Sequence, residues 1–216
     1  MARTYSSLEV LEASQGVRER SIALLRSAGE EQAASMVPTC PIWTAKELAC
    51  HMYGVCDDLL TGRLEGIGSD DWTQAQVERH GSKPLNELLD EWAASAEAFD
   101  AIVPQLPEPA NYQLVMDLAT HEHDLRLALA SPGAHEDLSL AIGAEYMLIS
   151  IRGTDAEFAE QIEGLGLSDF ELLRALTGRR SIAQLEAMDI SAERLARILD
   201  PSPMTIVAVD LVEGAG

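Results

Sequence analysis

Residues 116–134, MDLATHEHDLRLALASPGA, combine helical periodicity with polar residues on the apolar face. Asp117 and His121 are four residues apart, so a helix stacks them one above the other on one face. Leucines occupy the same side of this helix, at Leu114, Leu118 and Leu125. The pattern therefore predicts a helix over residues 112–130 whose inner face carries a carboxylate and an imidazole.

A second helix with an inward-facing histidine is predicted around His51. Thr44 is a candidate N-cap, and Glu47 follows it at the spacing of a capping box. Leu48 and Val55 lie on the apolar face of this helix, and His51 falls between them on that face. We therefore expect the imidazole to point into the same interior as the pair on the other helix.

Two more helices complete a predicted four-helix bundle in residues 1–135. One spans about residues 6–35 and ends at the prolines that follow, since proline cannot continue a helix. The other begins at Pro84, a favoured first helical position, and its apolar residues recur at helical spacing as far as residue 103. A polar loop with a short segment precedes it, and His80 is predicted to lie in a loop. Helices with an apolar stripe bury it by packing together.

Residues 136–216 are predicted to form a small C-terminal subdomain, either helical or α/β. The apolar stretch 138–151 is compatible with a fifth helix or, over residues 147–151, with a strand. Residues 170–188 have the pattern of a helix, and the β-branched residues of 205–212 favour a terminal strand. The predicted fold class is therefore mainly α, a four-helix bundle with a small, reduced α/β C-terminal appendage.

Composition and charge argue against several classes of function. The chain has 36 acidic and 15 basic residues, a net charge of −21, so it repels nucleic-acid backbones and anionic membranes. No apolar run approaches the roughly 20 residues that a transmembrane helix needs. The N-terminal MARTYSSLEVLEAS lacks the layout of a signal peptide, and the three cysteines form no zinc-binding motif. We expect a cytoplasmic protein with reduced thiols, no nucleic-acid partner and no membrane association.

Three polar side chains on the inner faces of two helices indicate a metal site. A charged group in an apolar interior costs several kcal/mol or more unless it is paired or binds a metal. His51, Asp117 and His121 supply two imidazoles and one carboxylate, a set that binds zinc or iron and leaves positions open for water or substrate. Asp-x-x-x-His on a helix is a weak motif by itself, so a hydrogen-bonded core histidine and a private Asp117–His121 ion pair stay open as alternatives.

The residues that follow His121 bear on its orientation. Asp124 lies seven residues after Asp117 and therefore shares its face, where it can accept a hydrogen bond from His121. His123 points away, at about 200° around the helix from His121. A rotated helix would instead make Glu122 and His123 the competing ligands.

A basic cluster in the C-terminal part consists of Arg174, Arg179 and Arg180. In this acidic chain it is explained either as a surface salt-bridge patch or as a clamp for a substrate carboxylate, which guanidinium groups bind in a bidentate manner. Cys50 and Cys56 flank His51 but lie off its face, and we expect buried, inert thiols there.

Four segments carry a family resemblance: VPTCPIWTAKELACHMYGVCDDLLTGRLEG (37–66), DDWTQAQVERHGSKPLNELLDEW (70–92), MDLATHEHDLRLALASPGA (116–134) and FELLRALTGRRSIAQLEAMDIS (170–191). Together they resemble the mycothiol-dependent maleylpyruvate isomerase family of actinobacteria, within the DinB/YfiT-like bundle superfamily. The resemblance implies a DinB-like four-helix bundle that holds a divalent ion, usually zinc. The ligands are a histidine of the second helix and an acid-x-x-x-His pair of the fourth, here His51, Asp117 and His121.

Two departures from the family pattern bear on activity. The family's isomerase carries Glu at the position of Asp117, and the shorter aspartate changes the reach of this ligand. The segment between Ile151 and Phe170 is too short for the usual C-terminal α/β appendage. We therefore expect a reduced cover over the substrate, and maleylpyruvate itself is in question.

The resemblance implies an enzyme in which the metal binds and acidifies the thiol of a low-molecular-weight cofactor, mycothiol. This thiol would serve isomerisation of, or transfer to, a small electrophilic substrate. Asp124 would orient His121, and Arg179 or Arg180 would contact an acidic substrate. Alternatives from other classes are a non-catalytic metal- or small-molecule-binding module of the same fold and a metal-free structural helical protein. A monomer or a homodimer is expected.

Overall fold

The structure is a computed structural model that describes residues 3–214, and α-helices make up most of it. In chain order the helices are α1 (Ser7–Ala33), α2 (Ala45–Thr61), α3 (Asp70–Gly81), α4 (Leu85–Ala94), α5 (Ala96–Ile102), α6 (Ala110–Ala128), α7 (Leu138–Thr154), α8 (Ala156–Gly164), α9 (Asp169–Leu176), α10 (Ile182–Ala187) and α11 (Ala192–Leu199). A 3-10 turn, Val103–Gln105, follows α5, and an antiparallel hairpin of β1 (Met36–Val37) and β2 (Cys40–Thr44) precedes α2. None of the described helices has the length and apolarity that a membrane span requires.

Capping side chains determine where the first two long helices begin. Ser6 and Thr44 each accept a hydrogen bond from the backbone N–H three residues on, and Glu9 and Glu47 bond back, so both helices start with a capping box. The predicted start of the second helix is therefore confirmed. This helix ends at Gly62, whose φ of 73° is the left-handed conformation that favours glycine.

The predicted helical bundle is confirmed, with one of its helices broken in two. α1, α2 and α6 pack against one another, and α4 and α5 pack against α1 and α2. α4 and α5 replace the single helix predicted up to residue 103; they are separated at Ser95, whose hydroxyl donates to the Trp92 carbonyl. Fully buried side chains between these helices include Leu25, Leu48, Trp92 and Phe99.

A helix, α3, replaces the predicted polar loop and short segment that precede α4. It packs along α2, and Ser69 caps its N-terminus. His80, predicted in a loop, lies in the last turn of α3 and is buried against the Tyr53 ring, with 4.6 Å between ring centroids. The prediction was wrong because two of the three buried residues of α3, Gln76 and His80, are polar, so the segment lacks an apolar stripe.

The sequence left two alternatives for residues 136–216, helical or α/β. The described part of this segment, up to residue 214, is helical. Residues 147–151 lie inside α7, and no residue of 205–212 is in a strand. The predicted terminal strand was wrong because this tail pairs with helix ends instead. Val207 N donates to the Gly178 carbonyl, and Leu211 N donates to the side chain of Gln184.

The helices after residue 135 pack directly onto the bundle. α7 lies against α6 and α1, and α9 packs on α7 and α6. Gly143 of α7 marks a close approach, since a Cβ built there would lie 3.1 Å from Met116 Cα and 3.0 Å from Leu173 Cδ1. The absent side chain therefore brings α7 close to the backbone of α6 one residue before Asp117.

We expect Gly143→Ala to gain no stability, or to lose about 1 kcal/mol, because the new methyl group must displace the backbone of α6. Gly153→Ala, on the same helix with no atom within 4 Å of the new Cβ, should instead gain about 0.5–1 kcal/mol. Urea unfolding of both variants measures the difference. An equal gain in the two variants would contradict the close approach.

Candidate metal centre

The structure brings the three predicted metal ligands together where α2 meets α6. One ligand atom from each of His51, Asp117 and His121 lies within 4.8 Å of the other two. His51 Nε2 is 3.7 Å from Asp117 Oδ2, and His121 Nε2 is 3.5 Å from Asp117 Oδ1. Among residues 3–214, no other group of three His, Cys, Asp or Glu side chains converges in this way.

The two imidazoles meet edge to face. Their ring centroids are 4.9 Å apart and their planes are inclined at 87°. Trp43, near the end of β2, also packs against His51, with 5.6 Å between ring centroids. His51 is buried, whereas Asp117 keeps 29% of its side chain exposed. The centre is therefore closed around His51 and meets solvent beside Asp117.

Asp117 is held as a carboxylate by its histidine neighbours. Burial raises its pKa, but the neighbouring rings of His121 and then His51 outweigh burial and hold the pKa well below the ordinary range. Its Oδ2 atom is shielded from solvent and has no hydrogen-bond partner among the described residues. A buried carboxylate oxygen without a partner is costly, and a coordinated cation would satisfy it.

The pKa of His121 is shifted in the opposite direction, upwards. Burial lowers its pKa, but Asp117 and then Asp124 outweigh burial, so the pKa lies above the ordinary value. His121 Nδ1 is 3.2 Å from Asp124 Oδ2. Asp124 accepts this hydrogen bond from Nδ1, so Nε2, which lies 3.5 Å from Asp117 Oδ1, is the nitrogen that a metal ion would bind.

Asp124 is fixed in turn by two arginines from the C-terminal part of the chain. The aspartate is fully buried; Arg174 Nη1 donates to its Oδ1 at 2.8 Å, and Arg179 Nη2 donates to its Oδ2 at 2.8 Å. Burial raises the pKa of Asp124, but Arg179, Arg174 and His121 outweigh burial and hold the pKa well below the usual range. The ion pairs thus connect α9 and the loop after it to the candidate centre.

The donor set fits a divalent cation such as zinc. Two ligands of a tetrahedral zinc ion, each about 2.1 Å from the metal, lie about 3.4 Å apart. The observed separations are close to this value: 3.7 Å from His51 Nε2 to Asp117 Oδ2 and 3.5 Å from His121 Nε2 to Asp117 Oδ1, with one ligand atom of each of the three residues within 4.8 Å of the others. Two imidazoles and a carboxylate also match the ligand types that zinc and non-haem iron prefer. His51, Asp117 and His121 are therefore the residues that would hold such an ion.

A family model described as the mycothiol maleylpyruvate isomerase N-terminal domain matches residues 15–136, more than half of the chain. The chain belongs to this family. No curated protein and no solved structure matches it. The matched segment contains the three candidate ligands and Asp124, whereas the arginines that hold Asp124 lie beyond it.

In this member of the mycothiol maleylpyruvate isomerase family, the basic cluster predicted as a surface patch is buried. Arg180 pairs with Glu171 at 2.9 Å and with Glu213 at 2.7 Å, and Arg174 pairs with Glu213 at 2.6 Å. The surface prediction was wrong because the C-terminal tail folds back and places Glu213 between the two guanidinium groups. Arg179 and Arg180, predicted to clamp a substrate carboxylate, are thus both engaged by carboxylates of this chain.

Two residues behind His51 were not identified from the sequence. His51 Nδ1 is 2.7 Å from Gln76 Oε1, and Gln76 Nε2 donates to Asp58 Oδ2 at 2.8 Å. Asp58 lies seven residues after His51, the same spacing that relates Asp124 to Asp117. Helical periodicity therefore predicts that Asp58 shares a face with His51. Gln76 has no such signal, because its helix lacks an apolar stripe.

The alternative ligands on α6 face away from the centre. His123 packs against the Phe170 ring, with 5.0 Å between centroids, and burial lowers its pKa to about 3. Glu122 is buried and pairs with Arg20 and Arg126. The helix therefore has the rotation that the leucine pattern predicts, and Glu122 and His123 do not compete as ligands.

The cysteines near the centre are free thiols. Cys50 and Cys56 are buried, as predicted, and burial raises their pKa values to about 11 and about 12. Burial, and then Asp124, also raise the pKa of Cys40. These groups stay protonated at neutral pH.

Arg174→Met should destabilise the protein by about 3–5 kcal/mol, because it removes the guanidinium that two buried carboxylates, Asp124 and Glu213, share. The matched control is Arg197→Met on α11, where the arginine pairs with Glu193 on the exposed surface and no measurable loss is expected. Urea unfolding in the presence of a chelator compares the two. A loss in Arg174→Met as small as in the control would show that the buried network contributes little.

Proposed function

We propose that the protein is a metal-dependent enzyme that uses a low-molecular-weight thiol, mycothiol, to act on a small electrophilic substrate. The observation that supports this most directly is the convergence of His51, Asp117 and His121, whose ligand atoms lie within 4.8 Å of one another, together with the unpartnered Oδ2 of Asp117. Membership of the mycothiol maleylpyruvate isomerase family supports the choice of thiol.

The ligand set leaves the centre suited to an anionic sulfur. Asp117 neutralises only one of the two positive charges of a divalent ion, and neutral imidazoles add none. A divalent cation held here would lower the pKa of a coordinated thiol, and a thiolate is the nucleophile that addition to an electrophilic double bond or thiol transfer requires. The exposed side of Asp117 supplies the approach.

The residues of the chain have separate tasks in this proposal. His51, Asp117 and His121 hold the ion, and Asp124 keeps His121 in the tautomer whose Nε2 is free to coordinate. Arg179 acts on the centre through Asp124. Because Arg179 and Arg180 are already paired within the chain, and the net charge is −21, the structure supports an electrophile with little negative charge over a dicarboxylate.

Metal content measured by mass spectrometry on untagged protein, after incubation with zinc and dialysis, tests the proposal. About one zinc per chain is expected in the wild type, and His51→Ala and Asp117→Ala should each lose it. His135→Ala, a histidine that stacks on Phe170 away from the centre, should keep it. Wild-type protein that takes up no metal would refute the metal centre.

The same proteins loaded with cobalt test the thiol part. Addition of a small thiol should change the visible absorption spectrum of cobalt in the wild type, because a sulfur ligand joins nitrogen and oxygen ligands. His135→Ala should respond like the wild type. A spectrum that thiol leaves unchanged would leave a metal-binding module without the proposed chemistry.

Zinc affinity should fall as the pH falls, because metal and protons compete for the imidazoles. The pKa of His121 is raised, so this competition should already be visible at and above pH of about 6.5, the ordinary value for histidine. Competition titrations with a chromophoric chelator between about pH 5.5 and 8.5 measure it. An affinity that stays constant down to the lowest pH would contradict histidine ligation.

A further inference from the structure

A buried chain of polar groups leads from His51 to the protein surface. His51 Nδ1 meets Gln76 Oε1, and Gln76 Nε2 meets Asp58 Oδ2, at 2.7 and 2.8 Å. The other oxygen of Asp58 accepts from Arg79 Nη1 at 2.6 Å and from Arg63 Nε at 2.9 Å. Gln76 and Asp58 are fully buried, whereas the two arginines are partly exposed.

Asp58 decides which way the amide of Gln76 points. A carboxylate that pairs with two arginines only accepts hydrogen bonds, so the group facing it must be the amide nitrogen. The amide oxygen then faces His51, and an oxygen acceptor requires a hydrogen on Nδ1. The neutral ring of His51 is left with its Nε2 lone pair directed at Asp117.

We infer that Gln76, oriented by Asp58, is a positioning residue that sets the tautomer of His51 for metal coordination. The inference rests on the metal centre proposed above and deepens it. Gln76 does for His51 what Asp124 does for His121. In each pair a buried oxygen accepts the hydrogen bond from Nδ1, and Nε2 is left free on the side of Asp117.

Gly54 gives independent support, because it makes room for the glutamine. A Cβ at position 54 would lie 2.5 Å from Gln76 Cβ and 2.7 Å from Gln76 Cγ, closer than side-chain atoms approach one another. Gly54 is on the same helix as His51, within its buried part. The residue therefore lets α3 come close enough to α2 for the amide to reach the imidazole.

Zinc affinity of pure, folded variants, measured by competition with a chromophoric chelator, tests the inference. Gln76→Leu should bind zinc about 10- to 100-fold more weakly than the wild type, the usual effect of removing the partner of a metal-binding histidine. Gln74→Leu, on the same helix at an exposed position, is the matched control and should bind like the wild type. Equal affinity of Gln76→Leu and Gln74→Leu, with normal binding by the wild type, would overturn the inference.

Exchanging the amide of Gln76 and the carboxylate of Asp58 distinguishes an effect on the orientation of the amide from a general loss of structure. Asp58→Asn alone allows the Gln76 amide to turn round, so zinc binding should weaken. Asp58→Asn combined with Gln76→Glu again presents an acceptor to His51 Nδ1 and a donor behind it, so binding should recover to within a few-fold of wild type. A double variant no better than Asp58→Asn would contradict the proposed relay.

Nitrogen NMR of the metal-free wild type reports the tautomer of His51 without any change to Gln76 or Asp58. The His51 signals, identified by their loss in His51→Ala, should report hydrogen on Nδ1 and none on Nε2 when the ring is neutral. The opposite tautomer would overturn the inference. The two proposals fail separately: wild-type protein that binds no zinc refutes the metal centre, whereas normal zinc binding that is indifferent to Gln76 refutes only the relay.

Discussion

Asp124 places a carboxylate in the interior of a helical bundle, where its charge is shielded from bulk solvent. Arg174 and Arg179 compensate it instead, and both come from the chain beyond the bundle. The same carboxylate faces His121, so the partner that a buried charge requires is also what orients a candidate metal ligand. The packing of α9 on the bundle and the geometry of one imidazole therefore depend on a single aspartate.

The two histidines of the centre are supported by different groups. A carboxylate lies behind His121, and a neutral amide lies behind His51, with the charge of Asp58 one residue further away. Both arrangements place an acceptor against Nδ1 and leave Nε2 towards Asp117. Behind His51, the amide supplies the acceptor without adding a further carboxylate against that ring. The carboxylates in contact with the two rings are consequently those of Asp117 and Asp124.

Helical periodicity was sufficient for much of the fold and failed where polar residues face inward. The capping box at Thr44 and the leucines of α6 are local patterns, and both predicted their helices well. α3 was missed because Gln76 and His80 occupy buried positions that are normally apolar, and these residues support the site and α2. The terminal strand was predicted from β-branched residues alone, but a strand needs a neighbour, and residues 205–212 find only helix ends in the described structure.

The sequence by itself determined that His51, Asp117 and His121 share the inner faces of two helices, because the spacing along a helix is a property of neighbouring residues. It also indicated Asp124, which follows Asp117 by seven residues and therefore lies on the same face of the helix. Only the tertiary structure decided that Arg174 and Arg179 reach Asp124 from about 50 residues further on, and that Gln76 reaches His51 from another helix. These contacts depend on how whole helices pack, on the absent side chains of Gly54 and Gly143, and on a tail that folds back over the arginines. No local pattern encodes them, because each contact joins distant segments, and a buried charge or polar group must be paired by whatever group the packing of the helices brings to it.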